Sequence, residues 1–318
     1  MRNSFAMLTY LEATVIGAVQ GVTELFPISS LGHSVLVAAW LGGTWTELIH
    51  DDETPQDTPY LAFIVALHVA TALALLWHYR HDWYAVITGF MESLRTRRAE
   101  TVPQRMAWLI VIATIPVGIL GPPLQHPLHE LFSSPLAAGI FLTLNGVVLV
   151  FGEVFRRRNA PTLAEYGRRF ARHESRRAAF NTAELPLLQA DRPLAALTAF
   201  DALAIGLLQA GALLTGFSRA GLTMVGGLWR GLSHEHAAKF AFMLATPAIL
   251  GAGVLDLPDL IGPGSPGLSG PILLGASVSG FSSWLAVRYL ERHFRTHTLL
   301  VFALYCLIAG TLSILHFS

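Results

Sequence analysis

The chain has 318 residues, of which 53% are hydrophobic and 13% are charged, and its 21 Lys and Arg balance its 21 Asp and Glu. The mean hydropathy is +0.52, and long apolar runs such as LAFIVALHVATALALLW exceed what a soluble core needs, so the composition excludes an ordinary soluble domain. We therefore predict an all-α polytopic membrane protein, with membrane lipids around it and no nucleic-acid partner.

Residues 8–41 form the first apolar region, and the sequence FPISSLG breaks it near the middle. Its second arm, residues 31–41, would rise only about 16 Å at 1.5 Å per residue. Because an arm of that length stops inside the hydrocarbon core, we predict a re-entrant helical hairpin whose tip lies within the membrane. Glu12 interrupts the stretch and no small-residue cleavage site follows, so we do not expect a removable signal peptide.

Three ordinary spanning helices follow the first hairpin, and three more close the chain. They are predicted at roughly residues 60–78, 105–123, 136–154, 238–256, 269–288 and 297–316. Between the two groups lie an arginine-rich polar stretch, 155–196, and a second broken region, 197–232, interrupted by LTGFSRAG. The polar stretch is either a basic helix on anionic lipid or a solvated cytoplasmic loop. The broken region predicts a second re-entrant hairpin.

The two broken regions are similar to each other. A shift that places Ile16 on Ile205 aligns IGAVQGVTELFPISSLG with IGLLQAGALLTGFSRAG, with Gln, Ser and Gly among the shared residues. Three crossing helices separate the hairpins, so the second enters from the opposite face, as in an inverted-topology repeat. We predict a single integral membrane domain over 1–318, with repeat one at about 8–154, a basic loop at about 155–196 and repeat two at about 197–316.

The basic residues indicate the orientation of this layout. All but two of the 21 Lys and Arg fall on one predicted side, and the expected loops around 42–59, 121–135 and 257–268 contain none. The positive-inside rule makes the basic side cytoplasmic. Both termini and the open end of the first hairpin are then expected outside, in a multi-pass protein of the bacterial cytoplasmic (inner) membrane.

The first tip concentrates polar side chains in an apolar region. Gln20 and Glu24 are four residues apart and share one helix face. A carboxylate inside the membrane is costly unless it faces a polar cavity, so Glu24 is a candidate functional residue, the alternative being that it caps or pairs with another helix. Ser29 and Ser30 precede a short helix and are either reactive hydroxyls or N-caps. His33 follows one turn later and is expected to point toward the same tip.

The second tip supplies a positive charge. Arg219 is predicted deep in the bilayer, where it requires an anion, either a phosphate group or, as a static salt bridge, Glu24 or Glu12. Free N–H groups at the start of a half-helix also favour anions, and Gly216 and Gly221 let the backbone approach a ligand closely. Together the tips offer a nucleophile, an acid/base pair and an oxyanion stabiliser, which are the requirements of phosphoryl transfer.

These tips resemble the two motifs of the undecaprenyl-diphosphate phosphatase family, also known for bacitracin resistance. The first motif, E/Q-x-x-x-E followed by P-x-S-S-x-G-H, is matched by Gln20, Glu24, Pro27, Ser29, Ser30, Gly32 and His33. The second, P-G-x-S-R-S-G followed shortly by a threonine, is matched by Gly216, Ser218, Arg219, Gly221 and Thr223. The resemblance covers most of the chain except 155–196.

The resemblance implies hydrolysis of the terminal phosphate of a polyprenyl diphosphate at the outer face of the membrane, giving the lipid carrier of cell-wall synthesis. It also implies a divalent cation, Mg²⁺ or Ca²⁺, with Glu24 and Gln20 handling cation or water. Ser30 and His33 would perform proton transfer or nucleophilic attack, so direct attack by water and a covalent route both stay open. The resemblance implies that Arg219 binds the diphosphate. The other substrate-binding residues that it implies are Ser29, Ser218, Gly216, Gly221 and Thr223.

Three positions depart from the family motifs. Gln20 replaces the more common glutamate, and Thr215 and Ala220 stand where proline and serine are usual.

A flippase or transporter using the same cavity is the leading alternative to a phosphatase, because paired broken helices are common in transporters. A phosphatidic-acid-type phosphatase is disfavoured, since its lysine-rich motif is absent. The expected partner is a polyprenyl diphosphate lipid, and a homodimer is left open.

Overall fold

The computed structural model describes residues 8–47, 59–132, 134–158, 194, 197–255 and 269–318. Within these residues the regular structure is helical, as predicted. The helices are α1 (Tyr10–Thr23), α2 (Ser30–Leu41), α3 (Thr44–Glu47), α4 (Pro59–His78), α5 (Arg80–Thr96), α6 (Val102–Phe132), α7 (Pro135–Arg158), α8 (Ala199–Ala210), α9 (Arg219–Trp229), α10 (His234–Leu255), α11 (Gly270–Thr296) and α12 (Leu300–Phe317). A 3₁₀ turn, Gly211–Leu213, extends α8.

The spanning helices confirm a polytopic membrane protein. Five helices in the described part of the chain, namely α6, α7, α10, α11 and α12, are long and apolar enough to cross a bilayer. α4 passes the same test only together with α5, and the two are bent by 86° at Tyr79. The six predicted spans are therefore all present as helices.

Two predicted loop boundaries are wrong. α6 continues to Phe132, into the segment 121–135 that the predicted spans leave as a loop. Pro122 lines an internal cavity, and backbone groups freed by proline are tolerated within a membrane protein where they line such a space. α7 continues to Arg158, and an ion pair between Arg157 Nε and Glu153 Oε1 at 3.5 Å supports its last turn. Most of the predicted basic loop, and the loop 257–268, lie outside the described residues.

α5 is a helix that the sequence analysis did not predict. Its exposed apolar side chains recur every three or four residues, at Tyr84, Ile87, Met91 and Leu94, while its buried face packs on α6. Such a pattern is typical of an amphipathic helix.

Both predicted hairpins are broken helices. The first consists of α1 and α2, with 14 and 12 residues, and the second of α8 and α9, with 12 and 11. At 1.5 Å per residue each arm is about 17 to 21 Å long, well short of the roughly 30 Å hydrocarbon core. The irregular segments 24–29 and 214–218 between the arms form the two tips.

Each hairpin packs against a long helix of the other half of the chain. α1 packs on α11, and α8 packs on α6. Gly17 of α1 lies so close to the backbone of Gly275 that no Cβ would fit, and its counterpart Gly206 of α8 lies equally close to the backbone of Ala113. Each half of the chain thus packs its hairpin on a helix of the other half, as expected of an inverted-topology repeat.

Buried hydroxyl groups fix the first hairpin against α4 and α11. Thr71 Oγ1 lies 2.9 Å from Ser283 Oγ and 3.2 Å from Ser279 Oγ, and Ser283 donates to the Gly21 carbonyl at 3.0 Å. Polar side chains of this kind link helices where no water competes. They hold the end of α1, and with it the first tip, in a defined position.

Candidate active site

The two tips meet in the interior of the bundle. Ser218 Oγ of the second tip donates to the Phe26 carbonyl of the first at 3.3 Å. A Cβ on Gly32 would lie 3.0 Å from the Cα of Gly216, so the backbones approach closely. The structure therefore brings the two predicted motifs together.

An unusual backbone conformation at Ser29 shapes the first tip. Ser29 has φ 71° and ψ 108°, which is uncommon for a residue other than glycine and often marks a functional site. Its Oγ accepts a hydrogen bond from the Gly32 N–H at 3.2 Å, so Ser29 is the N-cap of α2. Ser30 then begins the helix, with its hydroxyl turned to Glu24.

Glu24 is the centre of the site and is buried. Its Oε2 accepts from Ser30 Oγ at 2.5 Å and from Gln20 Nε2 at 3.0 Å, and lies 3.3 Å from His68 Nε2. Its Oε1 pairs with the Arg219 guanidinium. One guanidinium, one imidazole ring and two neutral donors thus surround the Glu24 carboxylate.

His68 of α4 is a site residue that the sequence analysis missed. Its Nδ1 lies 2.9 Å from the Ile64 carbonyl, which fixes the ring. With Nδ1–H donating to that carbonyl, Nε2 meets Glu24 as a donor only when the ring carries both protons. The signal was an ionisable residue within an apolar run, which by itself indicates a functional position.

His33 lies apart from this cluster. Its Nδ1 is 2.6 Å from the Ser29 carbonyl and its Nε2 is 2.7 Å from the Tyr305 hydroxyl of α12. The rings of His33 and Tyr305 are stacked with centroids 5.6 Å apart. Both ring nitrogens therefore have partners away from Glu24, and the acid/base role of His33 stays a prediction.

The predicted residues of the second tip divide into two groups. Arg219 and Ser218 line the cavity between the tips, and Ser218 also caps α9 by accepting from the Gly221 N–H at 3.0 Å. Thr223 donates to the Arg219 carbonyl at 2.8 Å, so its hydroxyl is used within the helix. Gly216, with φ 113°, adopts a conformation that favours glycine and packs against the α7 backbone. Gly216, Gly221 and Thr223 thus build the tip around the residues that face the cavity.

The cavity is polar at one end and apolar elsewhere. It has a volume of about 600 Å³, and Glu24, Ser30, His68 and Arg219 line its polar end. Its apolar walls come from α6, α10 and the end of α8, and include Val117, Gly118, Gly121, Leu124, Leu213, Phe217, Ile249 and Gly251. A cavity of this kind fits a ligand with a charged head and an apolar chain.

Two equivalent amides have unused hydrogen-bonding capacity. Gln20 Oε1 and Gln209 Nε2 are buried and have no hydrogen-bond partner among the described residues. The two residues occupy matching positions in the aligned hairpins. Gln209 also lines the cavity, with its Nε2 buried.

The residues around Glu24 suit a divalent cation that is also coordinated by substrate phosphates and water. Within the described ranges no group of three or more His, Cys, Asp or Glu could hold a metal ion. Glu24 and the unpartnered Gln20 Oε1 nevertheless offer oxygen atoms four residues apart on one face. Mg²⁺ is often held by one or two carboxylates together with substrate phosphates and water. The donor set therefore suits a cation bound with a diphosphate and not an all-protein cage.

Comparison with known proteins agrees with this geometry. The family model described as bacitracin resistance protein BacA matches residues 13–312. Undecaprenyl-diphosphatase 2 of Frankia alni is 48% identical, with 98% of each chain covered. The undecaprenyl-diphosphatases of Mycobacterium avium and Granulibacter bethesdensis are 49% and 40% identical, each with 97% of both chains covered. The chain belongs to the BacA family of bacitracin resistance proteins.

Proposed function

We propose that this chain hydrolyses undecaprenyl diphosphate to undecaprenyl phosphate and inorganic phosphate. The observation that carries the proposal is the contact of Glu24 with both Ser30 and Arg219 at the polar end of an otherwise apolar cavity. The family membership and the names of the relatives agree with it. The product would be the lipid carrier used again in cell-wall synthesis.

The diphosphate and the polyprenyl chain of the substrate occupy different parts of the cavity. The diphosphate lies at the polar end, where the planar guanidinium of Arg219 matches phosphate oxygens. Arg219 is partly exposed to the cavity, with 23% of its side-chain surface accessible, so it can shift from Glu24 to an incoming anion. The polyprenyl chain lies along the apolar walls between α6 and α10.

The position of Ser30 favours the covalent route. Glu24 takes the proton of the Ser30 hydroxyl as Oγ forms a bond to the terminal phosphorus. The bond from that phosphorus to the bridging oxygen breaks, and undecaprenyl phosphate leaves with the bonding electrons. The leaving undecaprenyl phosphate takes up the proton from Glu24, which restores the carboxylate. Water then attacks the phosphorus of the phosphoserine as Glu24 takes a proton from it, the bond from Ser30 Oγ to phosphorus breaks, Oγ regains that proton, and inorganic phosphate leaves. Arg219 stabilises the charge on the transferred group throughout.

A divalent cation, Mg²⁺ or Ca²⁺, would be held by Glu24 and Gln20 together with the diphosphate. When bound, it would neutralise negative charge on the phosphate oxygens. Arg219 already pairs with Oε1 of Glu24, and the His68 ring lies 3.3 Å from Oε2. The contact with His68 orients Glu24 toward Ser30 while Arg219 shifts to the diphosphate.

We further propose that the site opens toward the outer face of the bacterial cytoplasmic membrane. The cavity-lining residues of α6 lie between 114 and 124, and those of α10 between 247 and 253. The α6 set lies in the middle of its helix and the α10 set in the second half of its helix, and these helices begin near Arg105 and Lys239. The cavity is therefore displaced from the basic side, which the positive-inside rule makes cytoplasmic.

The test is phosphate release from undecaprenyl diphosphate by the purified full chain in detergent, with Mg²⁺ or Ca²⁺. Glu24→Gln and Arg219→Ala should each lower release by about 100-fold or more. Arg230→Ala is the matched control, since Arg230 pairs with Asp201 outside the cavity and should retain activity. Lipid binding without phosphate release by the folded wild type would instead support a flippase, because detergent removes the compartments that transport requires.

A further inference from the structure

Asn145 of α7 is a buried amide that contacts both tips. Its Nδ2 donates to the Pro27 carbonyl at 2.9 Å, and its Oδ1 accepts from the Ser218 N–H at 3.0 Å. The Nδ2 also lies 3.4 Å from Cys306 Sγ. The side chain is fully buried and does not line the cavity. Its contacts are therefore with the protein backbone and not with substrate.

The two backbone groups that Asn145 binds belong to irregular segments inside a membrane protein. Pro27 lies in the break between α1 and α2, and Ser218 is the N-cap of α9. Neither group has a helical partner, and an unsatisfied backbone group at that depth is costly. A side-chain amide can pair with both the Pro27 carbonyl and the Ser218 N–H, because it presents one acceptor and two donors in a fixed plane.

Asn145 thereby connects the two halves of the reaction site. Pro27 is three residues before Ser30, and Ser218 directly precedes Arg219. The direct pair between Arg219 and Glu24 must rearrange when a diphosphate enters. The remaining direct hydrogen bond between the tips, from Ser218 Oγ to the Phe26 carbonyl, is 3.3 Å long.

We propose that Asn145 is a positioning residue that sets the distance between Ser30 and Arg219 across the bound diphosphate. This inference rests on the proposed phosphatase function. Each tip also has its own cap, Ser29 on the Gly32 N–H and Ser218 on the Gly221 N–H, so each keeps its local shape without Asn145. What Asn145 adds is the placement of one tip relative to the other.

Asn145→Leu keeps the branching and the number of heavy atoms of the side chain and removes both hydrogen bonds. Arg219 should still bind the diphosphate, so KM should stay within about threefold of wild type. kcat should fall by about 30- to 100-fold, because a displacement near 1 Å between reacting groups has an effect of that size. Asn145→Asp is a second variant, in which an acceptor oxygen faces the Pro27 carbonyl, and its kcat should fall as well.

The matched control is Gln104→Leu. Gln104 is also a buried amide, whose Oε1 accepts from the Glu100 and Thr101 N–H groups and whose Nε2 donates to Glu92, at the start of α6 away from the cavity. Both leucine variants should lower the melting temperature, while only Asn145→Leu should lower kcat. Cys306→Ala removes the Sγ contacts with Asn145 and with the Pro27 carbonyl, leaves both amide hydrogen bonds of Asn145 in place, and should keep wild-type kcat.

A distance measurement separates failure of this inference from failure of the proposed function. Nitroxide labels at Leu31→Cys and Leu214→Cys, in a Cys306→Ala background, report on the two tips without requiring activity. The interlabel distance distribution should broaden or shift on adding Asn145→Leu and stay unchanged on adding Gln104→Leu. An unchanged distribution, or a folded Asn145→Leu with kcat within about twofold of wild type, would overturn the inference.

Discussion

Ser30 donates a hydrogen bond to Oε2 of Glu24 across the break between α1 and α2, at 2.5 Å. The pair joins the candidate nucleophile to its base within one tip. Ser30→Ala should therefore lower phosphate release by about 100-fold or more. Glu24→Gln removes the base while keeping its shape, and release should fall to a similar extent.

The control for Ser30 is Ser34→Ala on the same helix. Ser34 Oγ is buried and has no hydrogen-bond partner among the described residues, so its removal should leave the rate unchanged. With substrate labelled in the terminal phosphate, rapid acid quenching should trap label on wild type and none on Ser30→Ala. Activity of Ser30→Ala above a tenth of wild type would favour direct attack by water.

His68 should contribute through its contact with Glu24. His68→Leu removes the ring nitrogen that contacts Oε2 and leaves the carboxylate less well oriented. It should lower kcat by about 10-fold, less than the roughly 100-fold or more expected on loss of the general base itself. His68→Gln keeps an N–H donor and should lose less. His78→Gln, on the same helix but paired with Glu291, serves as the control and should match wild type. Equal rates for wild type and His68→Leu would exclude His68 from the reaction.

The sequence predicted the parts of the site that lie within the two breaks. Glu24, Ser30 and Arg219 stood out because charged and hydroxyl side chains interrupt apolar runs, and short arms imply a tip inside the membrane. The cap at Ser29 was likewise predicted from its position before a helix, whereas the cap at Ser218 was not.

Contacts made by separate helices could not be predicted in the same way. Helices that are apolar all round carry no periodic signal for their rotation, so nothing local placed His68 or Asn145 against the tips. Spacing along α2 predicted His33 near the tip, yet the direction of its side chain takes it to Tyr305. The amphipathic period of α5 was present in the sequence, at Tyr84, Ile87, Met91 and Leu94.

Gln20→Glu should change the response to divalent cations. A second carboxylate beside Glu24 adds an anionic ligand, so half-maximal activity should require less Mg²⁺ or Ca²⁺ than in wild type. Without cation the two carboxylates repel each other, and residual activity in chelator should be lower than that of wild type. A cation titration of phosphate release, paired with the shift of melting temperature by cation alone, checks both effects. Identical titrations for the two proteins would exclude Gln20 as part of a cation site.

Glycines along the cavity wall should determine how the polyprenyl chain is accommodated. Gly118 and Gly251 have open space where a Cβ would lie, so larger side chains there fit the fold and narrow the cavity. Gly118→Leu and Gly251→Leu should raise KM for undecaprenyl diphosphate by about 10-fold, while kcat changes little because the polar end is untouched. Farnesyl diphosphate is the matched control substrate, since its short chain leaves most of the apolar wall unused. If KM rose equally for both substrates, the polyprenyl chain would lie elsewhere. Measuring the same variants with each lipid decides between the two outcomes.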